Sequence, residues 1–381
     1  MEYIYVVIDY GSSIMKVECD TAFNQSPRYF TMEPETIEIK FSAVSDYRSR
    51  KEDQVQASLT EVFVSVKDLY YAVGKLARQE FRATPNLAQL KLSSAVPRTL
   101  AAIWVAAQKC AVGKKFKLFL TCVLPPGEYE DRHSLKERLR EALLCFDSPT
   151  GKLQVNMIYF KCFPEGAGLS MCYDKYRGGL GERKVGVIMM GHRNLSCFMV
   201  EDSIQHKFRS SDLGFSTVVL EVQSRTSGYK ERDITAAIAP YLLSPSKDQT
   251  TLEQLLLQNT PSEREEELAK LVKAIDLAVT NYGNAVVQWL TVQLPNIDEL
   301  TIGGGAAKII KDVLANHYRG KLPNEPGKNN SAVYFNGALK YPSDTLVPLE
   351  LQARFADVQC LWECNIIPTA QAYWEQKKKK G

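Results

Sequence analysis

Ile4-Tyr5-Val6-Val7-Ile8-Asp9-Tyr10-Gly11-Ser12-Ser13-Ile14-Met15-Lys16 is one β run that ends in a carboxylate, a glycine, two hydroxyls and a lysine. Those are the groups that a phosphate-binding hairpin uses. The strand delivers Asp9 to its end, where a carboxylate can hold a hydrated Mg²⁺, and Gly11 lets backbone N–H groups close on phosphate oxygens. Ser12 and Ser13 add short donors, and Lys16, returning on the next strand, brings a compact positive charge. An ordinary Asp-x-Gly-Ser β turn has the same spelling, so the segment takes its meaning from what accompanies it.

The chain has 381 residues, enough for two domains, and 45% of them are hydrophobic, the level of a protein with full cores. Its 47 basic and 44 acidic residues leave a formal charge of +3, too near balance for a whole-molecule field that would capture nucleic acid or an anionic membrane. Direct nucleic-acid binding is therefore not expected. Nine cysteines form no Cys-x-x-Cys pair and several lie in apolar runs, which reads as reduced, buried thiols. Four histidines, none spaced as a pair, give zinc little to bind. No stretch approaches the ~20 apolar residues of a membrane-spanning helix, so no integral membrane association is expected. Residue 4 already lies in a strand, which leaves no room for a secretion signal and implies a cytoplasmic protein.

Beyond the opening hairpin, residues 36–44 and 61–66 read as strands and 68–77 as a helical run. Residues 86–112 combine helical periodicity with a break at Pro97. The run 117–124 is a buried strand stopped by Pro125-Pro126, 132–144 is helical, and 156–162 is again a strand. The order then repeats in outline. The Gly178-Gly179-Leu180-Gly181 loop reads as a domain junction, 184–190 and 196–200 as strands, 217–224 and 233–242 as helices, and 252–258 as a short helix. Ser262-Glu263-Arg264-Glu265 has the capping-box pattern at the head of a long helix that reaches about Gln293. A strand at 299–302 runs into Gly303-Gly304-Gly305, and a helix is expected directly after it, from 307 to 318. Two successive β-then-βα segments suggest a duplicated architecture with a cleft between halves.

Three further turns carry chemistry. In Ile302-Gly303-Gly304-Gly305-Ala306-Ala307-Lys308, three glycines let the backbone approach a flat or anionic group, although a tight structural turn has the same composition. Gly191-His192-Arg193-Asn194-Leu195-Ser196 joins two apolar strands and repeats the form of the first hairpin; an ordinary solvated loop is its alternative. Phe163-Pro164-Glu165-Gly166-Ala167-Gly168 follows a strand directly. Pro164 and Gly166 fix the exit of Glu165, which makes it a candidate for orienting a water.

In this order, the motifs resemble the actin superfamily. Asp9-x-Gly11-Ser12-Ser13-x-x-Lys16 is similar to its first phosphate motif, Phe163 to Ala167 to its connecting segment, the 191–196 turn to its second phosphate motif, and Gly303 to Ala306 to its adenosine motif. The resemblance spans most of the chain and is strongest to the bacterial ParM/StbA-like plasmid-segregation branch, whose members end in a segment similar to Arg354-Phe355-Ala356-Asp357-Val358-Gln359.

The resemblance implies an α/β, actin-like fold: two ribonuclease-H-like domains flanking a nucleotide cleft, domain I formed by 1–165 plus 350–381 and domain II by 166–349. It implies ATP (GTP being the alternative) with Mg²⁺, slow hydrolysis, self-association into filaments, and a DNA-binding adaptor as partner. Asp9 would hold Mg²⁺ through water. Gly11, Ser12, Ser13, Lys16, Gly191, His192, Arg193 and Asn194 would contact phosphates, Gly303, Gly304, Gly305 and Lys308 the nucleoside side, and Glu165 would activate the attacking water. One departure matters. Where the second phosphate motif opens with an aspartate, this chain has Met189. Losing that carboxylate is expected to weaken metal handling and slow hydrolysis more than binding. A nucleotide-gated scaffold without hydrolysis, or a small-molecule kinase on the same fold, are the competing readings; the kinase lacks a convincing second aspartate.

The four-lysine run 377–380 reads as a frayed, solvated terminus, with a polymer, DNA or anionic-surface contact as the alternative.

Overall fold

The computed structural model describes residues 2–50, 58–84, 90–178, 183–202, 204–319 and 333–380. The chain divides into two compact units, Met1–Tyr176 with Leu339–Gly381, and Arg177–Ala338. The division falls at 176/177 and 338/339 rather than at the 165/166 and 349/350 read from sequence. The helix Ala167–Arg177 packs with the first unit because Asp357, from the C-terminal part of the chain, binds its first turn. Of the glycine loop expected at the junction, residues 179–181 lie outside the described residues.

The first unit carries β1 (Glu2–Asp9), β2 (Met15–Asp20), β3 (Arg28–Met32), β4 (Thr36–Ile39), β5 (Glu61–Val66), β6 (Leu69–Gly74), β7 (Lys115–Leu124), β8 (Phe146–Ser148) and β9 (Gly151–Pro164). Its main sheet has the order β3-β2-β1-β7-β9-β8, and β4-β6-β5 form a smaller antiparallel sheet. β1 pairs antiparallel with β2 and parallel with β7, and β7 pairs parallel with β9. The continuous apolar run of β7 follows from cover on both faces. Leu118, Leu120, Cys122 and Leu124 join the core that contains the helix Lys91–Lys109, whereas Phe119 and Val123 join Phe355, Val358 and Trp362 of the C-terminal helices.

The second unit carries β10 (Val185–Met190), β11 (Leu195–Glu201), β12 (Ile204–Ser211), β13 (Glu299–Gly303) and β14 (Val333–Phe335), in the order β12-β11-β10-β13-β14. Three antiparallel strands are again followed by two added in parallel, as β3-β2-β1-β7-β9 are in the first unit. This is the duplicated architecture expected from the repeated order of elements, in the ribonuclease-H-like form that the resemblance implies.

Several elements differ from the sequence reading. Strand 36–44 stops at Ile39 and turns into the helix Phe41–Arg50. The helical run at 68–77 is mostly β6, because Leu69-Tyr70-Tyr71-Ala72-Val73 pairs across a tight turn with β5 and on its other edge with β4. The helix Lys91–Lys109 passes through Pro97 unbroken. Burial of nearly every side chain from Ala95 to Ala107 outweighs the one backbone bond that proline removes. The short helix near 252–258 covers only Thr250–Glu253. The long helix Pro261–Gln293 is capped two residues earlier than expected, at Thr260 rather than Ser262: Thr260 accepts the Glu263 N–H and bonds its carboxylate, with Pro261 at the first helical position. After Gly303 the chain makes turns through residue 310 before the helix Lys311–Tyr318. The lysine run is not frayed; it continues the helix Ile367–Lys380, and Lys377 Nζ donates to Tyr3 OH at 3.1 Å. No helix of the described residues is long and apolar enough to cross a membrane.

Candidate functional site

In the first unit, the ends of β1, β2 and β9 converge on a cluster of buried charges. Asp9 is opposite Lys16 in the β1–β2 register, and Lys16 Nζ bonds its carboxylate. The turn between them closes so tightly that a Cβ on Gly11 would lie 2.1 Å from the Ile14 carbonyl oxygen. Ser12 is half-buried and Ser13 exposed on that turn. Arg98, on the helix Lys91–Lys109, donates to the Gly11 carbonyl at 2.9 Å, and its guanidinium lies 5.6 Å from the Tyr10 ring centre. Glu165 follows β9 directly. Its N–H bonds the Leu124 carbonyl at 2.9 Å, and its carboxylate is paired with Lys91. The first turn of the Lys91 helix is itself held by Glu128, which accepts the Leu92 N–H at 2.7 Å.

Asp357 completes the cluster. Its carboxylate accepts the Gly166 N–H at 2.9 Å and the Leu169 N–H at 3.1 Å, which anchors the loop carrying Glu165 to the C-terminal helix Leu349–Leu361. Burial, together with the charges of Asp9 and Glu165, outweighs those two donors and raises its carboxyl to about 7. Asp9 goes the other way. Burial pushes it up, but Lys16, Lys91 and Arg98 together hold it below the usual carboxylate range. Arg98 is itself drawn down to about 10 by burial, against the pull of Tyr10, Asp9 and Glu35.

Three of the cluster's residues were not expected at the site: Lys91, Arg98 and Asp357, the last noted only within the 354–359 segment. Arg98 and Asp357 carry a signal in hindsight, each being a lone charge inside an apolar helical run, Ala95 to Leu100 and Phe355 to Val358. Lys91 carries none.

In the second unit, two of the expected turns adjoin. Met189 pairs with Ser196 on one side and Gly303 on the other, so the 191–196 turn and the glycine turn leave the same end of the sheet. Gly304 has φ +97°, and a Cβ there would lie 2.3 Å from the Met190 carbonyl oxygen, which also accepts the Ala306 N–H at 3.2 Å. Gly303 is buried, Gly305 half-buried and Lys308 exposed. The helix Phe215–Arg225 docks on the other turn: Phe215 N–H bonds the Gly191 carbonyl at 3.1 Å and Ser216 N–H the His192 carbonyl at 2.8 Å. His192, Arg193 and Asn194 are half-exposed there. Asn194 and Ser196 both turn their side chains toward Ser210 of β12, at 3.4 and 3.1 Å. Met189 is partly exposed, so a thioether stands where the resemblance leads one to expect a carboxylate. A polar cavity of about 520 Å³ in this unit, lined by Arg225, Tyr229, Glu263, Glu267 and Lys270, contains none of these residues.

Among solved structures, the chain is similar over 99% of its length, and 99% of theirs, to the actin-like protein Alp7A, with a TM-score of 0.68 at 13% identity. The chain has the actin-like fold. ParM of Bacillus thuringiensis with AMPPNP aligns over 97% of this actin-like chain and 100% of its own length, at a TM-score of 0.61 and 12% identity. The Alp12 filament structure aligns over the same shares, at 0.58 and 11%. No protein-family model and no curated protein sequence matches the chain.

A hydrated Mg²⁺ keeps most of its waters and can take its remaining ligands from phosphate, so one buried carboxylate is enough to hold it, although no group of three metal-ligating side chains occurs among the described residues. Asp9 would hold it through water. Lys16 and Lys91, now paired with carboxylates, are the groups able to turn to phosphate oxygens.

Proposed function

We propose that this chain is a filament-forming, actin-like protein of the ParM-like, plasmid-segregation kind that binds ATP with Mg²⁺ and hydrolyses it slowly. The observation that carries the reading is the Asp9–Lys16 hairpin with Glu165–Lys91 beside it, a cluster of desolvated charges of the kinds that a metal–phosphate group engages. The similar ParM structures were solved with ATP and with AMPPNP, and Alp12 as a filament, which supports nucleotide binding and self-association here. On this reading Glu165 orients the attacking water, Lys16 and the 11–13 turn take β- and γ-phosphate oxygens, and the 191–194 and 303–305 turns with Lys308 take the rest of the nucleotide. Phosphoryl transfer needs chiefly positioning and charge neutralisation, so so sparse a set suffices. GTP is the alternative nucleotide, a DNA-binding adaptor the expected partner, and the cytoplasm the expected location.

Electron microscopy of the purified chain with and without ATP–Mg²⁺ tests it. Nucleotide-dependent filaments are expected, and monomers under every condition would overturn the filament assignment. A second reading, a nucleotide-gated scaffold with little hydrolysis, is favoured by Met189 and is separated from the first by phosphate release from assembled protein.

A further inference from the structure

Seven of the nine cysteines adjoin another in the first unit: Cys19 with Cys110, the buried Cys122 with the buried Cys162, and Cys172 with both Cys360 and Cys364. The Sγ atoms of Cys19 and Cys110 are 4.0 Å apart, and those of Cys172 and Cys364 are 3.7 Å apart. Distance alone favours the second pair, but the surroundings favour the first. Cys110 caps the C-terminal end of the helix Lys91–Lys109 and is partly exposed, with the Arg28 guanidinium against it. Cys19 is buried on β2 directly behind it. A partly exposed thiol beside a guanidinium, here one that also bonds Asp20 at 2.8 Å, with a second thiol directly behind it, is a setting in which a thiolate forms and reacts. Cys364 instead adjoins Glu363, whose carboxylate is engaged by Lys175 and Tyr176, and its buried partner Cys172 also touches Cys360.

We propose that Cys19 and Cys110 form a reversible intramolecular disulfide, entered at Cys110, by exchange with a low-molecular-weight disulfide such as oxidised glutathione. The Cys110 thiolate attacks one glutathione sulfur; the new S–S bond forms as the glutathione S–S bond breaks, and the departing thiolate takes a proton from water. Cys19 then attacks the Cys110 sulfur, displacing the second glutathione, which carries off the Cys19 proton. Two cysteine thiols are oxidised and one disulfide is reduced to two thiols. The sulfurs must approach by about 2 Å to reach bonding distance. The movement falls on Cys110, at a helix end followed by Ala111 in the left-handed region, rather than on Cys19 inside the sheet.

The charges around the pair agree with that order. Arg28 favours a thiolate at Cys110, against burial and Asp20, whereas at Cys19 burial and Asp20 both disfavour one, with only Lys109 opposing them. Once Cys110 is in a mixed disulfide it no longer carries the negative charge that holds the Cys19 proton. Cys172 and Cys364 are both held well above the usual thiol range. The bridge would tie β2, which carries Lys16, to the helix that carries Lys91 and Arg98, and its formation is independent of any nucleotide.

Peptide mapping of the full reduced chain after exposure to oxidised glutathione, with free thiols alkylated before digestion, tests the proposal. The expected product joins the Cys19 and Cys110 peptides, leaves Cys172 and Cys364 alkylated, and is reversed by dithiothreitol. Cys110→Ser abolishes it, and Cys19→Ser traps glutathione on Cys110. Cys19 and Cys110 both recovered as alkylated thiols, or a Cys172–Cys364 bridge formed ahead of theirs, overturns it. The unmodified chain gives the deciding result even if a buried-site variant fails to fold.

Discussion

Asp9 is a buried carboxylate facing three cations, Lys16, Lys91 and Arg98, and that imbalance defines its role. On the proposed function, Asp9→Ala abolishes Mg²⁺-dependent nucleotide binding, because Met189 leaves no second carboxylate at the corresponding strand end of the other unit. Isothermal titration with ATP in the presence of Mg²⁺ checks this, and wild-type affinity in the variant would refute it. Breaking a buried ion pair also costs about 3–5 kcal/mol, so a melting curve must accompany the titration. Asp357 gives a second residue-scale test. Its folded carboxyl titrates at about 7, above the unfolded value of about 4, so the folded state holds the extra proton between those limits. Stability from this group is therefore fully present below about pH 4 and is lost as pH rises to about 7, with a slope of at most about 1.4 kcal/mol per pH unit. In Asp357→Asn that slope disappears; urea titrations of both proteins across the window show it, and parallel curves would contradict the assignment. Asp9, Lys16 and Glu165 were legible because each lies at the end of a strand that the sequence spells out. Lys91, Arg98 and Asp357 were not, since their partners are 74, 87 and 191 residues away and only tertiary pairing joins them.

At the scale of elements, local chemistry prevailed where the turn or cap was itself local and failed where packing decided. The β1–β2 hairpin, β7, β10 and the long helix Pro261–Gln293 follow from apolar pattern and end signals. β6 was missed because its pairing with β4 and β5, rather than its own periodicity, makes it a strand. Pro97 misled for a related reason: the helix around it is buried on all sides, and tertiary burial outweighed the proline. The glycine turn after β13 tests the same balance. Gly304 combines φ +97° with a Cβ position 2.3 Å from the Met190 carbonyl, so neither its backbone nor its surroundings accept a side chain. Gly304→Ala is expected to destabilise the protein by at least about 1–3 kcal/mol, read as a lowered urea midpoint, whereas a substitution at exposed Lys308 stays within about 0.5 kcal/mol. An unchanged midpoint for Gly304→Ala would mean that the turn relaxes freely and is not the rigid feature described.

At the scale of the molecule, the duplicated sheet order was legible because each unit repeats the same succession, an antiparallel meander and then parallel additions through helices. The two copies differ in how their strands end, and Met189 is where they diverge. The first copy ends β1 in Asp9; the second ends β10 in Met189-Met190, with Ser196 and Gly303 flanking a partly exposed thioether. A single carboxylate can bind a hydrated metal ion, but aligning both metal and water is a task for two, and a positioned general base is worth 10²–10⁴-fold in rate. If assembly is driven by ATP binding and disassembly is timed by hydrolysis, a chain without the second carboxylate builds filaments that outlast their supply of ATP. Met189→Asp is therefore expected to raise phosphate release from assembled protein by roughly tenfold or more and to shorten filament lifetime after ATP is exhausted, while leaving ATP affinity nearly unchanged. Phosphate release and light scattering followed in one reaction measure both. If the wild-type chain already turns over as fast as an actin-like protein that has an aspartate at this position, or if the variant gains rate without losing filament lifetime, Met189 is not the residue that sets the clock.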